Sequence, residues 1–214
     1  MRKLKYSTRS IIKNINTSEL PGIHLFIEEA TKLLYNCFER DKGKLLICGN
    51  GGSAGDAQHI VGELMKPFKI NRMITPQLFD RFLDKNLDYL ACNLKRALPA
   101  ISLVGENSLI SAIVNDMGSD FIFAQQVIGY GKPDDILLAI STSGNSKNII
   151  YACETAKILG MRIIGLVGKT GGNLKRLCDI YYCVPELETY LIQEKHIIIY
   201  HAICASIENE IFGV

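Results

Sequence analysis

Apolar residues recur along the chain in two spacings, and the spacings alternate. Over residues 22–40, GIHLFIEEATKLLYNCFER, they fall on one helical face, after Pro21 and before the Asp41-Lys-Gly43 stop. KLLICG (44–49) is then a short continuous apolar run closed by glycines, which predicts a buried parallel strand. SAGDAQHIVGELM (53–65) returns to helical spacing, with Ser53 placed as its N-cap. PAISLV (99–104), DILLAIS (135–141), MRIIGLVG (161–168) and DIYYCVP (179–185) predict four further strands. Between them, NSLISAIVNDM (107–117), SDFIFAQQVIGY (119–130) and a segment from Asn145 through Lys157 read as helices, and a last helix runs from Glu188 to Ile211. Strands alternating with helices imply βαβ units. The expected fold is α/β: a doubly wound, mostly parallel five-stranded sheet flanked by helices, in one domain over 1–214.

Two stretches sit outside that rhythm. Residues 1–18 are polar and mixed, and read as a docking arm or a frayed start. Residues 66–98 contain Pro67 and Pro76 and then one amphipathic helical pattern, PQLFDRFLDKNLDYLACNLKRAL. That segment reads as a helical insertion.

Composition narrows the function classes. With 48% hydrophobic and 21% charged residues, the 214-residue chain has ordinary globular composition. A net charge of +2 puts no large field behind nucleic-acid or membrane binding. No run approaches the roughly 20 apolar residues needed to span a bilayer, and no signal-peptide core follows the basic start, so a cytoplasmic location is expected. The 7 cysteines, Cys37, Cys48, Cys92, Cys153, Cys178, Cys183 and Cys204, form no C-x-x-C pair. They read as buried reduced thiols rather than a zinc–thiolate site.

The candidate chemistry sits where strands end. C-G-N-G-G-S (48–53) joins a strand to a helix; Asn50, Gly51, Gly52 and Ser53 either cradle an anion against the helix N-terminus or simply make a tight turn. S-T-S-G-N-S (141–146) repeats the arrangement with four hydroxyls in six residues, including Ser141, Thr142, Ser143 and Ser146. Neutral donors of this kind suit the oxygens of a phosphate monoester, without the lysine of a phosphoryl-transfer loop. On the helix after the first loop, His59 and Glu63 share a face at i, i+4. They read either as a proton-transferring pair or as a solvated helix face. Gln193 and His201 are about 80° apart around the last helix and about 12 Å along it, so both can border one cleft. His196 lies on another stripe, with a surface or interface role. His24, on an apolar helix face, reads as a packed core or interface histidine.

Together these elements resemble the sugar isomerase (SIS) domain family, and within it the phosphoheptose isomerase branch. G-N-G-G-S, D-A-Q-H-x-x-x-E-L, A-I-V-N-D, A-I-S-T-S-G-N-S and I-Q-E-x-H all stand in this chain, and the likeness covers residues 20–65 and 99–212. It implies a homotetramer with active sites completed by neighbouring subunits. It implies conversion of sedoheptulose 7-phosphate to D-glycero-D-manno-heptose 7-phosphate through an enediol. Carried onto this sequence, Glu63 and His201 would be the acid/base pair. His59, Glu63, Gln193 and His201 would hold a divalent metal, zinc by family habit. Asn50, Gly51, Gly52, Ser53, Asn115, Asp116, Ser141, Thr142, Ser143, Ser146 and Gln193 would bind substrate. Two departures stand out. The family's Asp-Arg pair before I-Q-E is replaced by Tyr190 and Leu191, which bears on the sugar accepted. The 66–98 segment is longer than the family's connection. A non-catalytic member of the same fold, binding a sugar phosphate or a partner protein, is the alternative; the acid/base residues favour the enzyme. No DNA-binding module accompanies the domain.

Overall fold

The computed structural model describes residues 19–213; the N-terminal segment read as a docking arm lies outside them. Five strands, β1 (Leu45–Gly49), β2 (Ala100–Ser102), β3 (Ile136–Ser141), β4 (Arg162–Val167) and β5 (Ile180–Cys183), form one wholly parallel sheet in the order β2-β1-β3-β4-β5. Every residue of β1 and β3 is buried, as expected for strands covered on both faces.

Alternation along the strands divides the interior. Leu45 and Ile47 of β1, and Ile136, Leu138 and Ile140 of β3, face the first core; Leu46, Cys48, Leu137 and Ala139 face the second. The first core is closed by α1 (Ile23–Tyr35), α2 (Gly52–Met65) and α8 (Thr189–Phe212). The second is closed by α6 (Ile122–Tyr130) and α7 (Lys147–Ile158). The helix α5 (Asn107–Asp116) lies between β2 and α6 in the chain. The doubly wound expectation therefore holds, and all five strands fall within the predicted runs.

Four local expectations change. The first helix ends at Tyr35 and continues as a π-helical turn, Asn36–Arg40. Ser53 is not an N-cap: α2 starts one residue earlier, and Gly51 holds the cap position at φ +54°, a conformation glycine adopts without strain. The single helix expected over 76–98 is two short ones, α3 (Pro76–Leu83) and α4 (Asp88–Asn93), because Asn86 turns to φ +55° between them. Pro76 at the first position and the Thr75 hydroxyl, accepting from Leu78 N–H at 3.4 Å, start α3. Cys92 on α4 is exposed, and Cys178 and Cys183 are half-buried. The other four cysteines are buried, and burial pushes the Cys37 thiol up to about 12.

The insertion is pinned where it leaves the sheet region. Glu208 of α8 is fully buried and accepts the backbone N–H groups of Phe68, Lys69 and Ile70 at 2.7–3.1 Å and Arg72 Nε at 2.6 Å. Arg72 is buried as well, and its guanidinium donates to the carbonyls of Leu64 and Glu63 at the end of α2, at 2.5 and 3.0 Å. These carbonyls have no partner inside the helix. A bridge between Met73 and Lys95, and Leu98 N–H donating to Leu64 O at 3.0 Å, close the neck.

Candidate functional site

The sheet reverses its winding between β1 and β3, since β2 lies on one side of β1 and β3 to β5 on the other. Ligands of open parallel sheets bind in the crevice at such a reversal, beyond the strands' C-terminal ends. The two loops identified in the sequence leave β1 and β3 there. They enclose a cleft of about 300 Å³ lined by Asn50, Gly51, Gly52, Ser53, Ser141, Thr142, Ser146 and Gln193. Eight of the predicted site residues thus come together. Thr189, which sequence reasoning passed over, lines the same cleft from the first turn of α8, beside Ile140 and Ile149.

The loops are rigidly braced. Asn50 and Asn148 exchange two side-chain amide hydrogen bonds at 2.9 and 3.0 Å and tie one rim to the other. Ser141 Oγ accepts Gly144 N–H at 3.1 Å, and Asn145 Oδ1 accepts Asn173 N–H at 3.0 Å. Gly144, at φ +66°, leaves no room for a side chain against Gly171. Ser143 is exposed, outside the cleft lining, and its Oγ accepts Asn145 N–H at 3.2 Å. Asn115 and Asp116 hydrogen-bond to each other at 2.7 Å, are exposed, and do not line their own chain's cleft.

Helices α2 and α8 run side by side in the same direction, and three rungs mark their register. Gly52 meets Gln193 at the start. His59 meets Tyr200 and His201 in the middle. The carbonyls of Glu63 and Leu64 are joined through Arg72 to Glu208 further on. At the middle rung, His59 Nε2 lies 3.3 Å from Glu63 Oε1 and 3.5 Å from His201 Nε2. Glu63 Oε2 is 3.4 Å from Lys66 Nζ. Burial and the neighbouring His59 hold His201 below its ordinary imidazole range, against the opposing pull of Glu63. His59 Nδ1 lies 2.8 Å from the Tyr200 hydroxyl. Asp56 lies one turn earlier on α2; burial pushes its carboxyl up to about 6, with Tyr200 and His59 opposing.

Spacings of 3.3 and 3.5 Å match the edge of a tetrahedron with zinc–ligand bonds of about 2.1 Å, and nitrogen and carboxylate donors are zinc's usual set. Among the described residues, however, no group of three or more His, Cys, Asp or Glu side chains is arranged to hold a metal ion.

Two histidines differ from their sequence reading. His196 is not at the surface: it is fully buried on α8, and neither ring nitrogen has a hydrogen-bond partner. Burial pushes its pKa down to about 4, against a smaller opposing effect of the Val167 backbone. His24 is exposed on α1 rather than packed in the core, which leaves the interface reading.

Comparison with known proteins agrees with this geometry. The SIS domain family profile matches residues 8–82 and 90–168. The phosphoheptose isomerase of Helicobacter pylori (strain P12) is 40% identical over 190 residues, 89% of this chain and 86% of that protein. The phosphoheptose isomerase of Aliarcobacter butzleri (strain RM4018) is 39% identical over 94% of this chain and 92% of its own length. Among solved structures, a phosphoheptose isomerase from Francisella tularensis superposes with a TM-score of 0.73 at 37% identity, covering 93% of this chain and 92% of that one. The phosphoheptose isomerase of Neisseria gonorrhoeae gives 0.72 at 31% identity, covering 94% and 92%. No helix among the described residues is long and apolar enough to cross a membrane.

Proposed function

From a chain that belongs to the SIS domain family, we infer an aldose–ketose isomerase of phosphorylated sugars, acting in the cytoplasm on sedoheptulose 7-phosphate. One observation carries the reading: the hydroxyl-lined cleft and the His59–Glu63–His201 cluster lie along the same two parallel helices. Six residues of helix separate Ser53 from His59, a rise of about 9 Å. A sugar phosphate anchored by its phosphate in the cleft lays several carbons along that distance. Its carbonyl end then reaches the carboxylate and the imidazoles.

The chemistry follows from those groups. Glu63 takes a proton from C1 as the C1–H bond breaks and the C1–C2 double bond forms, while His201 gives a proton to the C2 oxygen. The intermediate is an enediol. His201 then takes the O1 proton, C1 becomes the aldehyde, and Glu63 returns its proton to C2. No oxidant or co-substrate enters, and the product is an isomer of the substrate. Braced backbone N–H groups and hydroxyls hold the phosphate without a lysine in either loop. A divalent metal such as zinc, which when bound would polarise the carbonyl oxygen, would draw its donors from His59, Glu63, Gln193 and His201, whose acidic and imidazole groups are not arranged here as a formed metal site.

We also propose a homotetramer whose sites are completed by neighbouring copies. Asn115 and Asp116 are exposed and do not line their own chain's cleft, and Leu25 of α1 and Ile197 of α8 are exposed apolar side chains. The run Ile197 to Tyr200 supplies less such surface than its sequence suggests, because Ile199 and Tyr200 are buried within the chain.

The deciding experiment incubates the purified protein with ketose 7-, 6- and 5-phosphates in D2O, with and without zinc. Deuterium at C2 of an aldose heptose phosphate is the expected result. No product and no exchange with any ketose phosphate would overturn the reading. Sedimentation velocity at micromolar concentration tests the assembly, and a monomer mass would refute it.

A further inference from the structure

Asn148 does not line the cleft, yet it is bonded to a residue that does. It is the second residue of α7, between Ser146 and Ile149, which both face the cleft. Ser146 is the N-cap of α7 but makes no side-chain cap bond, so its hydroxyl is left to the cleft. After the last ladder pair, Gly49 beside Ile140, the two chain segments part. The first enters α2 over the first core, and the second enters α7 over the other. The Asn50 and Asn148 side chains span the opening. Asn50 Nδ2 donates to Asn148 Oδ1 at 2.9 Å, and Asn148 Nδ2 donates to Asn50 Oδ1 at 3.0 Å. A side-chain amide offers two N–H donors and an oxygen with two lone pairs. The pair uses one donor and one lone pair from each partner. Asn50 therefore keeps an N–H and a lone pair for a ligand without breaking the pair. Turning either amide over by itself would set N–H against N–H and oxygen against oxygen, so each holds the other in plane. Asn50 is exposed; without a partner it would sample several rotamers, and fixing one on binding costs entropy.

We propose that Asn148 is a positioning residue for the sugar phosphate: through the paired amides it presents Asn50 to the ligand in one fixed orientation and holds the two rims of the cleft at one separation. The proposal rests on the sugar-phosphate reading of the cleft, and not on isomerisation. Its effect falls on binding rather than on proton transfer, because the pair joins the rims at the loop end of α2, whereas His59 and Glu63 stand further along that helix.

The test is a double-mutant cycle read by calorimetric titration of the full chain with sedoheptulose 7-phosphate. Asn148→Ala is expected to weaken binding roughly tenfold. In an Asn50→Ala background the same change should cost nothing further, because a residue that acts through Asn50 has nothing left to act on. Asn148→Leu, which keeps the bulk but neither hydrogen bond, should bind as weakly as Asn148→Ala. Losses that multiply in the double variant would overturn the proposal, and so would wild-type affinity in Asn148→Leu. A lower Tm with wild-type affinity would reduce the pair to a structural tie and overturn it as well. In turnover, KM is expected to rise roughly tenfold at unchanged kcat, the mark of binding shared by ground and transition states; a fall in kcat at unchanged KM would contradict the assignment. A wild-type protein that binds the sugar phosphate without isomerising it would remove the isomerase and leave Asn148 in its role. A wild type that binds no ketose phosphate would overturn the role along with the cleft.

Discussion

Gly52 and Gln193 meet where α2 and α8 begin: a β-carbon on Gly52 would lie 2.5 Å from Gln193 Nε2. The close approach brings the glycine loop and the last helix together as two walls of one cleft. Gly52→Ala is therefore expected to push Gln193 into the space the phosphate needs. The backbone at Gly52 is not in the left-handed region, so the fold survives. Loss of one hydrogen bond to a charged phosphate oxygen is worth about 1.5–3 kcal/mol, a roughly ten- to hundredfold weaker affinity. Calorimetric titration with a sugar phosphate measures it, and wild-type affinity would detach Gln193 from the binding site.

Glu63→Gln is expected to abolish turnover while leaving sugar-phosphate binding largely intact. Glutamine keeps the shape but cannot accept a proton, so kcat should fall about 10²- to 10⁴-fold. Metal content must be measured alongside the rate, because Glu63 is also a candidate ligand. Wild-type deuterium exchange into C1 or C2 by a metal-replete variant would pass the proton transfer to His201.

His196 and Asp56 give opposite pH dependences over nearly the same range. The folded-state pKa of His196 is about 4, against 6.5 when exposed. Between those values the unfolded chain binds the proton and the folded one does not, so stability falls as pH drops from about 6.5 to about 4, by about 3 kcal/mol in all. Asp56, raised from 3.8 to about 6, works the other way: folding is penalised above pH 6, and the penalty is lifted as pH falls through 6 toward 4. The wild-type profile between pH 4.5 and 7.5 is expected to be shallow. His196→Leu removes one of the two opposing contributions, and its urea midpoint should then rise relative to wild type as the pH falls. Parallel profiles for the two proteins would show that His196 is not buried neutral.

Arg72→Leu is expected to lower stability by about 3–5 kcal/mol, the usual result of removing one partner of a buried ion pair. For a chain of this size that corresponds to a loss of Tm on the order of 10 °C. Glu208 would keep three backbone donors but lose its counter-charge, the Glu63 carbonyl would lose its partner, and the Leu64 carbonyl would keep only Leu98 N–H. The paired change Arg72→Met with Glu208→Leu should not recover the loss, since Phe68, Lys69 and Ile70 would then be left without an acceptor. Recovery in differential scanning calorimetry would argue that the pair alone, and not the neck it organises, matters.

The strands and both loops were legible in the sequence because their signals are local: short apolar runs closed by glycines and serines need no distant partner to be recognised. His59 and Glu63 were legible as a pair for the same reason, being one helical turn apart. Tyr200 was not, because its contact with His59 depends on α8 lying beside α2, 141 residues away in the chain. Arg72 and Glu208 gave no local sign either, as charged residues are ordinarily exposed and only the folded neck buries them. His196 was misread because helical stripes tell which residues share a face, not which face meets the sheet. Thr189 was passed over beside the Tyr190–Leu191 departure, although it lines the cleft.

The bridge between Met73 and Lys95 makes the intervening segment a closed excursion whose two ends are already held together. Once the ends of a loop are fixed, its length matters little to the rest of the chain: doubling a flexible loop adds only about 0.6 kcal/mol of closure entropy. Helices α3 and α4 are thus free to lengthen, shorten or change composition across lineages while α2 keeps its place beside α8. The end of the site where we place proton transfer is thereby insulated from the part of the chain best able to vary, and diversification of the outer surface need not be traded against the chemistry.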